Sequence, residues 1–490
     1  MLKKVSDTQS KMEFVIIDDL VPDDHLLRKI YKVIDFSFIL KRTAHLYCSD
    51  NGRPPIHPII FFKMLFIGYL FGIRSERQLI KEIEVNVAYR WFLGYGLTDK
   101  IPHHSIFSQN RRRRFNDSTV FEEIFIDIVK LGIEYGLVDG KVLYSDSTHL
   151  KASANKGKFE VIQVEVTPQS YLNDLDESVN TDREAHGKKP FPPKDNRFKG
   201  GASPRMKEIK SSKTDPDSGY MTRDRKPQGF FYLDHRTVDH LVNFITDVHI
   251  TAANVNDSTC YIDRLKVQQE RFGFDVQAVG LDAGYDTANI CKELVDMKIM
   301  GVIGYRRLGG KKGFFRKRDF VYNADKDIYT CPRSKVLRYR TTNRKGSKVY
   351  VSDSSDCKNC PLLVKCTESK NHQKIISRHV WEESKEIIHK NRLTFCGKEL
   401  YKRRKETIER SFANAKQLHG YRYAKYRGIE RVREQAYMTA VVQNIKKIVK
   451  YLFSGLSGKR VARFIAFCLL IYYVLNENRA KSHYPEFILN

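Results

Sequence analysis

The sequence changes character at Lys141-Val142-Leu143-Tyr144-Ser145-Asp146, a short apolar run that closes on a carboxylate. A second run of this kind, Val276-Gln277-Ala278-Val279-Gly280-Leu281, is followed by Asp282. Both runs have the length and composition of short strands. Other strands are predicted at residues 230–238, 244–251 and 300–305, and helices at 257–271 and 287–297. Strands in succession, followed by alternating strands and helices, indicate an α/β fold with a mixed sheet.

The residues before this sheet are predicted to be helical. Residues 58–71 form an apolar helix that Gly72 stops, and residues 75–78 have the form of a capping box that opens a helix to about Gly94. A third helix begins near Ser105 and carries Arg111-Arg112-Arg113-Arg114. The four arginines fit either a helix-turn-helix-like DNA-binding unit or a solvated basic helix face, and the sequence does not choose between them.

Two segments interrupt the predicted sheet, which we expect to be of ribonuclease-H type. Residues 155–220 are rich in Lys, Pro, Gly and Ser and are predicted to be a flexible basic insertion. Residues 306–400 carry most of the clustered cysteines. The predicted units are a helical N-terminal domain (1–140), a core (141–305), a cysteine-containing insertion (306–400), a core helix with the helix after it (401–450) and an apolar and basic tail (451–490).

The charge of the chain points to a polyanionic partner. Its 490 residues include 86 lysines and arginines against 58 aspartates and glutamates, a formal net charge of +28 spread along the whole length. Nucleic acid is the obvious polyanion. A charge that serves solubility, or binding to ribosomes or a membrane surface, also fits. With 41% apolar and 12% aromatic residues, the chain has the composition of a folded protein rather than of a disordered basic tail.

The sequence predicts a cytoplasmic protein with no membrane partner. Met1-Leu2-Lys3-Lys4 is followed by polar residues rather than by the apolar region of a secretory signal. Two apolar stretches, 58–72 and 464–475, are shorter than the ~20 residues that a spanning helix needs, so both are predicted to be buried helices. In a reducing compartment, clustered cysteines are more often metal ligands than disulfides.

Glu409 provides a third carboxylate, on a predicted helix at residues 405–416. Glu406, Glu409 and Lys416 share one face of this helix, so Lys416 could reach a phosphate beside Glu409. Of the two glutamates, only Glu409 has a lysine seven residues further on. An ordinary charged helix surface would explain the same residues.

Asp146, Asp282 and Glu409 together form an all-oxygen set suited to hard divalent cations such as Mg²⁺. Taken singly, each aspartate also fits the role of a turn former or a cap. Asp286 is a rival carboxylate, which we expect to cap the helix that starts near Thr287.

Four cysteines have the spacing of a metal site. Cys357 and Cys360 form a C-x2-C pair, and Cys331 and Cys366 could complete a four-thiolate zinc site. An iron–sulfur centre, or cysteines with no ligand, would also fit the spacing.

Eight motifs, in chain order, resemble one family of proteins. They lie at residues 19–28, 56–58, 102–105, 146–148, 212–220, 251–257, 282–286 and 408–416, and include Asp146-Ser147-Thr148, Asp282-Ala283-Gly284-Tyr285-Asp286 and Ile408-Glu409-Arg410-Ser411-Phe412 with Lys416. The chain resembles bacterial insertion-sequence transposases of the DDE class, in the group with the signature Y-x2-R-x3-E-x6-K. Within that group it resembles the type numbered eleven-eighty-two.

This resemblance implies an enzyme that cuts and joins DNA. Asp146, Asp282 and Glu409 would be the catalytic triad and would hold two Mg²⁺ ions, for which Mn²⁺ could substitute, with Lys416 as a phosphate contact. The implied partners are the terminal inverted repeats of the element, the target DNA and a second copy of the chain in the synaptic complex. The implied location is the bacterial nucleoid.

The signature is not matched at two positions. Lys402 and Lys405 stand where Tyr and Arg are expected, and Tyr401 and Arg404 each lie one residue early. Lysine can supply charge to a phosphate but not the bidentate fork of arginine. The residues expected to contact DNA are Arg111, Arg112, Arg113, Arg114, Lys402, Arg404 and Lys405.

Two other functions would fit parts of the sequence. A DNA-binding protein of transposase descent that has lost catalysis is the alternative, although the three carboxylates and Lys416 are all present. A two-carboxylate hydrolase acting on sugars does not account for the charge, the cysteine cluster or the third acid.

Overall fold

The computed structural model describes residues 12–47, 56–165, 171–192, 206–222, 228–305 and 313–453. The predicted tail beyond residue 453, Cys48 and Cys468 lie outside the described residues. The helices are α1 Leu26–Val33, α2 Ser37–Thr43, α3 Pro58–Leu70, α4 Glu76–Val85, α5 Val87–Leu93, α6 Ser105–Arg113, α7 Val120–Glu134, α8 Leu172–Ala185, α9 Tyr261–Phe272, α10 Ala288–Asp296, α11 Ser354–Lys358, α12 Leu363–Cys366, α13 Glu382–Leu393, α14 Phe395–Arg403, α15 Arg410–Leu418 and α16 Ile429–Phe453. The strands are β1 Val142–Lys151, β2 Phe159–Glu165, β3 Met206–Ser212, β4 Gly219–Met221, β5 Gly229–Asp239, β6 Ile245–Ala252, β7 Ala278–Leu281, β8 Met300–Ile303, β9 Val321–Asn323, β10 Ile328–Thr330, β11 Val336–Thr342, β12 Ser347–Ser352 and β13 Ile375–His379.

The N-terminal helices surround α3, which is apolar on all sides and is therefore an interior helix. Ten of its thirteen residues are buried. The helix ends before Gly72, whose φ of +69° favours glycine. The predicted helix from Ser75 to Gly94 is two helices, because Asn86 ends α4 and its side chain caps α5 by accepting a hydrogen bond from the Tyr89 N–H.

The main sheet has mixed topology. β5 pairs antiparallel with β1 on one side and with β6 and the short β4 on the other, whereas β7 and β8 continue beyond β1 as parallel strands. Every residue of β7 and β8 is buried, which is the pattern of parallel strands covered on both faces. The mixed α/β fold behind a helical N-terminal region is confirmed.

Helix α16 joins the N-terminal helices to the sheet. It packs against α3, α7 and β6, and its Asn444 side chain bonds both the N–H and the C=O of Ile245 at 2.9 and 2.8 Å. The helical region and the sheet therefore share one continuous apolar core. Within the described residues, none of the helices is both long and apolar enough to cross a membrane.

The two predicted insertions contain regular structure. The described part of residues 155–220 includes the antiparallel pair β2–β3 and helix α8, so the expectation of a flexible segment fails for these residues. Residues 321–379 form a separate five-stranded antiparallel sheet in the order β13-β12-β11-β10-β9.

The four-arginine run of α6 faces two environments. Arg112 and Arg113 are exposed. Arg111 is directed into the protein: its Nε donates to both carboxylate oxygens of Glu434 at 2.7 and 2.8 Å, and its Nη1 pairs with Glu76. The side chains of Arg111 and Glu434 are each 5% exposed. Arg111 therefore joins α6 to α16, and the expectation that it contacts DNA is corrected, because its guanidinium is already paired in the interior.

Arg111→Ala should lower the free energy of unfolding by about 3–5 kcal/mol, because the substitution leaves the Glu434 charge buried without its partner. Arg112→Ala, at an exposed position of the same helix, should change it by less than about 0.5 kcal/mol. Urea unfolding of the two variants measures the difference. Equal stability of the two would contradict the interior role of Arg111.

Candidate active site

The register of β1 and β7 brings two aspartates together. Tyr144 on β1 is the parallel partner of Gly280 on β7. Two positions further on, Asp146 lies within β1 and Asp282 directly follows β7, near enough for the charge of Asp282 to raise the pKa of Asp146. The Asp282 carboxylate accepts a hydrogen bond from the Gly284 N–H and so begins the 3-10 turn Ala283–Tyr285.

A π-helical turn, Lys405–Glu409, lies between α14 and α15 and carries Glu409. The Glu409 N–H faces the Arg404 carbonyl oxygen at 3.5 Å, five residues back rather than four. A π turn holds one more residue than an α turn. Residues 404 and 409 therefore share a face, as residues four apart do in an α-helix.

Arg404 links two of the three predicted catalytic acids. Its Nη2 donates to the Asp146 carboxylate, and its Nη1 donates to Glu409 Oε1 at 3.2 Å. The Arg404 side chain is 9% exposed, whereas Lys402 and Lys405, which stand at the signature positions, are exposed. The buried guanidinium between these two acids is therefore that of Arg404, and not a side chain at either signature position.

Tyr401 lies one turn before Arg404, beside the second aspartate. A Cβ added at Gly304 would lie 2.5 Å from the Tyr401 hydroxyl and 2.9 Å from the Ala283 N. The tyrosine hydroxyl therefore approaches the backbone that directly follows Asp282, and a side chain at position 304 would push it away.

Burial dominates the electrostatics of Asp146. Burial raises the pKa of Asp146 to about 6, against the lowering effect of Arg404, and the charges of Asp282 and Asp257 add to the increase. The same three carboxylates raise the pKa of the buried Tyr285 after the effect of its own burial. Asp257 is thus a fourth acid near the site. It closes the 251–257 motif and is the first residue of the predicted helix 257–271, but no spacing in the sequence singled it out as an acid of the site.

Lys416 extends the site along β1. Its Nζ donates to the hydroxyl of Thr148, which lies two residues beyond Asp146 and so on the same face of the strand. Burial lowers the pKa of Lys416, as does the nearby Arg422. The charges of Asp234 and Asp146 act in the opposite direction and raise the pKa of Lys416.

Asp286 is separate from the site. Its carboxylate lies 3.2 Å from His389 Nε2 and 3.4 Å from Lys385 Nζ on α13. Thr287, not Asp286, caps α10, since its side chain accepts a hydrogen bond from the Ile290 N–H. The expected capping role of Asp286 is therefore wrong.

A different acidic group satisfies the spacing of a metal site. Within the described ranges, the ligand atoms of Asp139, Asp239 and His240 all lie within 4.8 Å of one another. This group is at the other end of β1 from Asp146, because Asp239 pairs with Leu143. The three predicted catalytic acids do not form so tight a group in the described structure, since Arg404 lies between Asp146 and Glu409.

A groove of about 660 Å³ lies between the N-terminal helices and the segment that follows α15. Its rim includes the starts of α4 and α6 and the cations of Arg74, Arg77 and Lys425. Burial lowers the pKa of Lys425 to about 8, with the nearby Arg111 as the next cause. Tyr423, which also lines the groove, forms a parallel bridge with Lys151 at the end of β1. The groove therefore opens beside the strand that carries Asp146.

The four predicted zinc ligands, Cys331, Cys357, Cys360 and Cys366, line one small cavity in the five-stranded sheet unit. This cavity belongs to a different part of the chain from the acids.

Comparison with known proteins identifies two matching families. Residues 15–113 match the family described as a transposase domain (DUF772), and residues 330–449 match the family described as a transposase DDE domain. No curated protein matches. A solved structure of the piggyBac transposase synaptic complex with hairpin DNA is 10% identical, covering 94% of this chain and 82% of that one with a TM-score of 0.33, a likeness too low to support an argument. Both family matches support a transposase function, and the second of them includes Glu409 and Lys416.

In the metal-free protein, the ionisation of Asp146 should lower the free energy of unfolding as the pH rises. Its folded pKa of about 6 lies above the ordinary 3.8, so the folded state holds this proton more tightly, and ionisation costs stability between about pH 4 and pH 6. In chelator-treated protein, Asp146→Asn should therefore raise the free energy of unfolding at pH 7 by roughly 2–3 kcal/mol. Near pH 3.5 it should have little effect. Denaturant unfolding at both pH values measures this.

Asp286→Asn is the matched control with the opposite sign. Burial opposes ionisation of Asp286, but the hydrogen bond from His389 and the charge of Lys385 lower its pKa overall. This variant should destabilise the chain at pH 7. If both variants shift stability in the same direction, the electrostatic account of Asp146 is wrong.

Proposed function

We propose that this chain is an insertion-sequence DNA transposase of the DDE class, which binds terminal inverted repeats and catalyses metal-dependent strand cleavage and strand transfer. The observation that carries the proposal is the meeting of Asp146 and Glu409 on one guanidinium, with Asp282 directly after the strand that pairs with β1. The acids come from positions more than a hundred residues apart in the sequence.

The strand order supports a ribonuclease-H-like catalytic core. Three antiparallel strands in the spatial order β6-β5-β1 are followed by the parallel strands β7 and β8. The first acid lies on the central strand of this arrangement and the second directly follows the parallel strand beside it. The insertion at residues 155–220 falls between the first two core strands, and the cysteine-containing insertion falls between β8 and the helices that carry Glu409.

The residues fit divalent metal ions such as Mg²⁺. All ligand atoms of Asp146, Asp282 and Glu409 are carboxylate oxygens, the donors that hard divalent cations prefer. The raised pKa of Asp146 shows that Arg404 alone does not offset the cost of burying this charge beside other acids. Bound divalent ions would supply that charge, activate water and stabilise the leaving 3′ oxygen.

Arg404 and Lys416 are suited to hold the scissile phosphate. Arg404 offers the planar fork that matches phosphate oxygens, and it would reach a phosphate once divalent ions replace it on Asp146 and Glu409, which it contacts here. Lys416 lies on the same side of β1, bonded to Thr148. We propose that Asp257 tunes the site, because its charge adds to that of Asp282 in keeping Asp146 prone to take up a proton.

The groove beside β1 offers cations to the phosphates of double-stranded DNA that lies across it. Its cations, Arg74, Arg77 and Lys425, could neutralise phosphates, and the exposed Arg112, Arg113, Lys402 and Lys405 are further proposed contacts. Joining two transposon ends requires that two active sites come together, so a homodimer in the synaptic complex is part of the proposal, as is a location at the nucleoid.

Removal of any one acid should abolish strand cleavage. Asp146→Asn, Asp282→Asn and Glu409→Gln should each reduce Mg²⁺-dependent nicking of DNA that carries the element's ends by on the order of 10³-fold or more. Asp286→Asn, outside the site, serves as the control. A gel assay with end-labelled DNA measures the nicking.

The outcome separates the two candidate functions. If the acid variants nick as well as the parent chain, the triad is wrongly assigned. If the parent binds DNA ends but cleaves them with neither Mg²⁺ nor Mn²⁺, the chain is a DNA-binding protein of transposase descent.

The π turn allows a test of the register at the signature. Arg404→Ala should reduce cleavage by on the order of 10²-fold, because it removes the guanidinium that holds two acids. Lys405→Ala should reduce cleavage far less than Arg404→Ala, because Lys405 is exposed and is one of several proposed DNA contacts, whereas Arg404 bonds two acids. Deletion of Lys405 should have a similarly small effect, since it converts the π turn to an α turn in which Arg404 and Glu409 still share a face.

Deletion of Ala413, an exposed residue of α15, is the matched control. It rotates Lys416 relative to Glu409 by about 100° and should abolish cleavage. Activity that survives this deletion but not the deletion of Lys405 would contradict the assignment of Arg404 to the signature position.

A further inference from the structure

The five-stranded sheet unit has too small an apolar interior to explain its order. Its buried cluster consists of Phe320, Tyr329, Leu337, Tyr350 and Ile376. A core of this size rarely stabilises a unit of some sixty residues, and natural domains of this kind add disulfides or metal ions. The strands alone therefore do not account for the stability of this unit.

Helices α11 and α12 also lack the apolar contacts that would stabilise them. They contain five and four residues, and neither has a buried residue. Isolated helices of this length are unstable in water. Val364 is 82% exposed, and in this segment it is Cys366 that packs against the buried cluster of the sheet unit. What the two helices do contain is cysteine, at Cys357 and Cys366, with Cys360 between them.

All four clustered cysteines face one cavity of about 30 Å³. Cys331 comes from the β10–β11 turn, and the others come from the segment of α11 and α12. A space of this size suits a single ion or water. Four thiolates that converge on one space repel one another unless a cation lies between them.

The turn at Cys331 has the features of a thiolate ligand loop. The Arg333 N–H donates to Cys331 Sγ at 3.3 Å, and the Ser334 N–H donates to the Cys331 carbonyl at 2.8 Å. A backbone N–H directed at sulfur stabilises a negative charge there. Lys374 lies in the cavity wall, with its Nζ 2.7 Å from the Cys366 carbonyl, and adds positive charge beside the cluster.

We propose that Cys331, Cys357, Cys360 and Cys366 bind one structural Zn²⁺ ion, which fastens α11 and α12 to the β10–β11 turn. Four thiolates at the spacing C-x2-C, with a distant partner, form a closed tetrahedral set with no open position for substrate. In the described structure no three of the four Sγ atoms lie within 4.8 Å of one another. The Cys357 thiol instead donates to Ser352 Oγ at 3.2 Å, and zinc binding exchanges that bond for the metal. This inference does not depend on the transposase function.

Metal analysis of the full chain tests the proposal. After purification in a reducing buffer and dialysis against EDTA, the chain should retain about one zinc ion. Asp146→Asn/Asp282→Asn should retain it, whereas Cys357→Ser/Cys360→Ser should lose it. Cys260→Ser, at a cysteine outside the cluster, is the matched control. Zinc that is lost with the aspartates but kept without the cysteines would overturn the assignment.

A measurement on the parent chain keeps the test decisive if the double cysteine variant fails to fold. Addition of Co²⁺ to zinc-depleted protein should produce the intense visible bands and thiolate charge-transfer absorption of tetrahedral cobalt with sulfur ligands. Added Zn²⁺ should then remove these bands. The absence of such bands, or purified protein that contains iron and sulfide at this cluster, would overturn the zinc site.

Discussion

The Arg404 guanidinium is the interaction on which the geometry of the acidic site depends. It lies between Asp146 and Glu409, which are 263 positions apart in the numbering, and is itself buried. Without a cation at this point, carboxylates from β1, β7 and the π turn would repel one another at short range in a poorly solvated place. Burial raises the pKa of Asp146 even with Arg404 present. Further positive charge at the site would therefore favour the ionised carboxylate.

The sheet and the helices around it act as one support for this interaction. Arg236, the cross-strand partner of Asp146, is fully buried; its Nε bonds Asp234 at 2.7 Å and its Nη1 bonds Gln443 of α16 at 2.8 Å. Gln443 in turn donates to the Ser411 carbonyl at the start of α15. The strand with the first acid and the helix after the third acid are therefore fixed to the same long helix, α16, which also holds the N-terminal helices.

Much of this architecture was readable from local sequence. The apolar runs predicted β5 to β8 to within two residues, and the all-round apolar character of residues 58–70 predicted an interior helix. The predicted end of β1 at Asp146 is wrong, because the strand continues to Lys151 in its pairing with β5. Other features depend on contacts that no local pattern reveals. Asn86 divides a predicted helix through one side-chain bond, and the partner that draws Arg111 inward, Glu434, is 323 residues away. The segment predicted to be flexible contains regular structure because β2 pairs with β3, which begins more than forty residues later in the chain.

Local patterns were enough to predict most residues of the proposed sites, because apolar runs and helical spacing follow from short-range sterics and periodicity. These patterns predicted Asp146, Asp282, Glu409 and Lys416, and cysteine spacing predicted the four zinc ligands. Which arginine faces the acids depends on tertiary packing. One extra residue in a helix turns every later side chain by about 100°, and whether that residue is absorbed in a π turn depends on how α14 and α15 pack against the sheet. Tertiary packing also placed Asp257 beside the acids, since proximity across a loop leaves no period in the sequence.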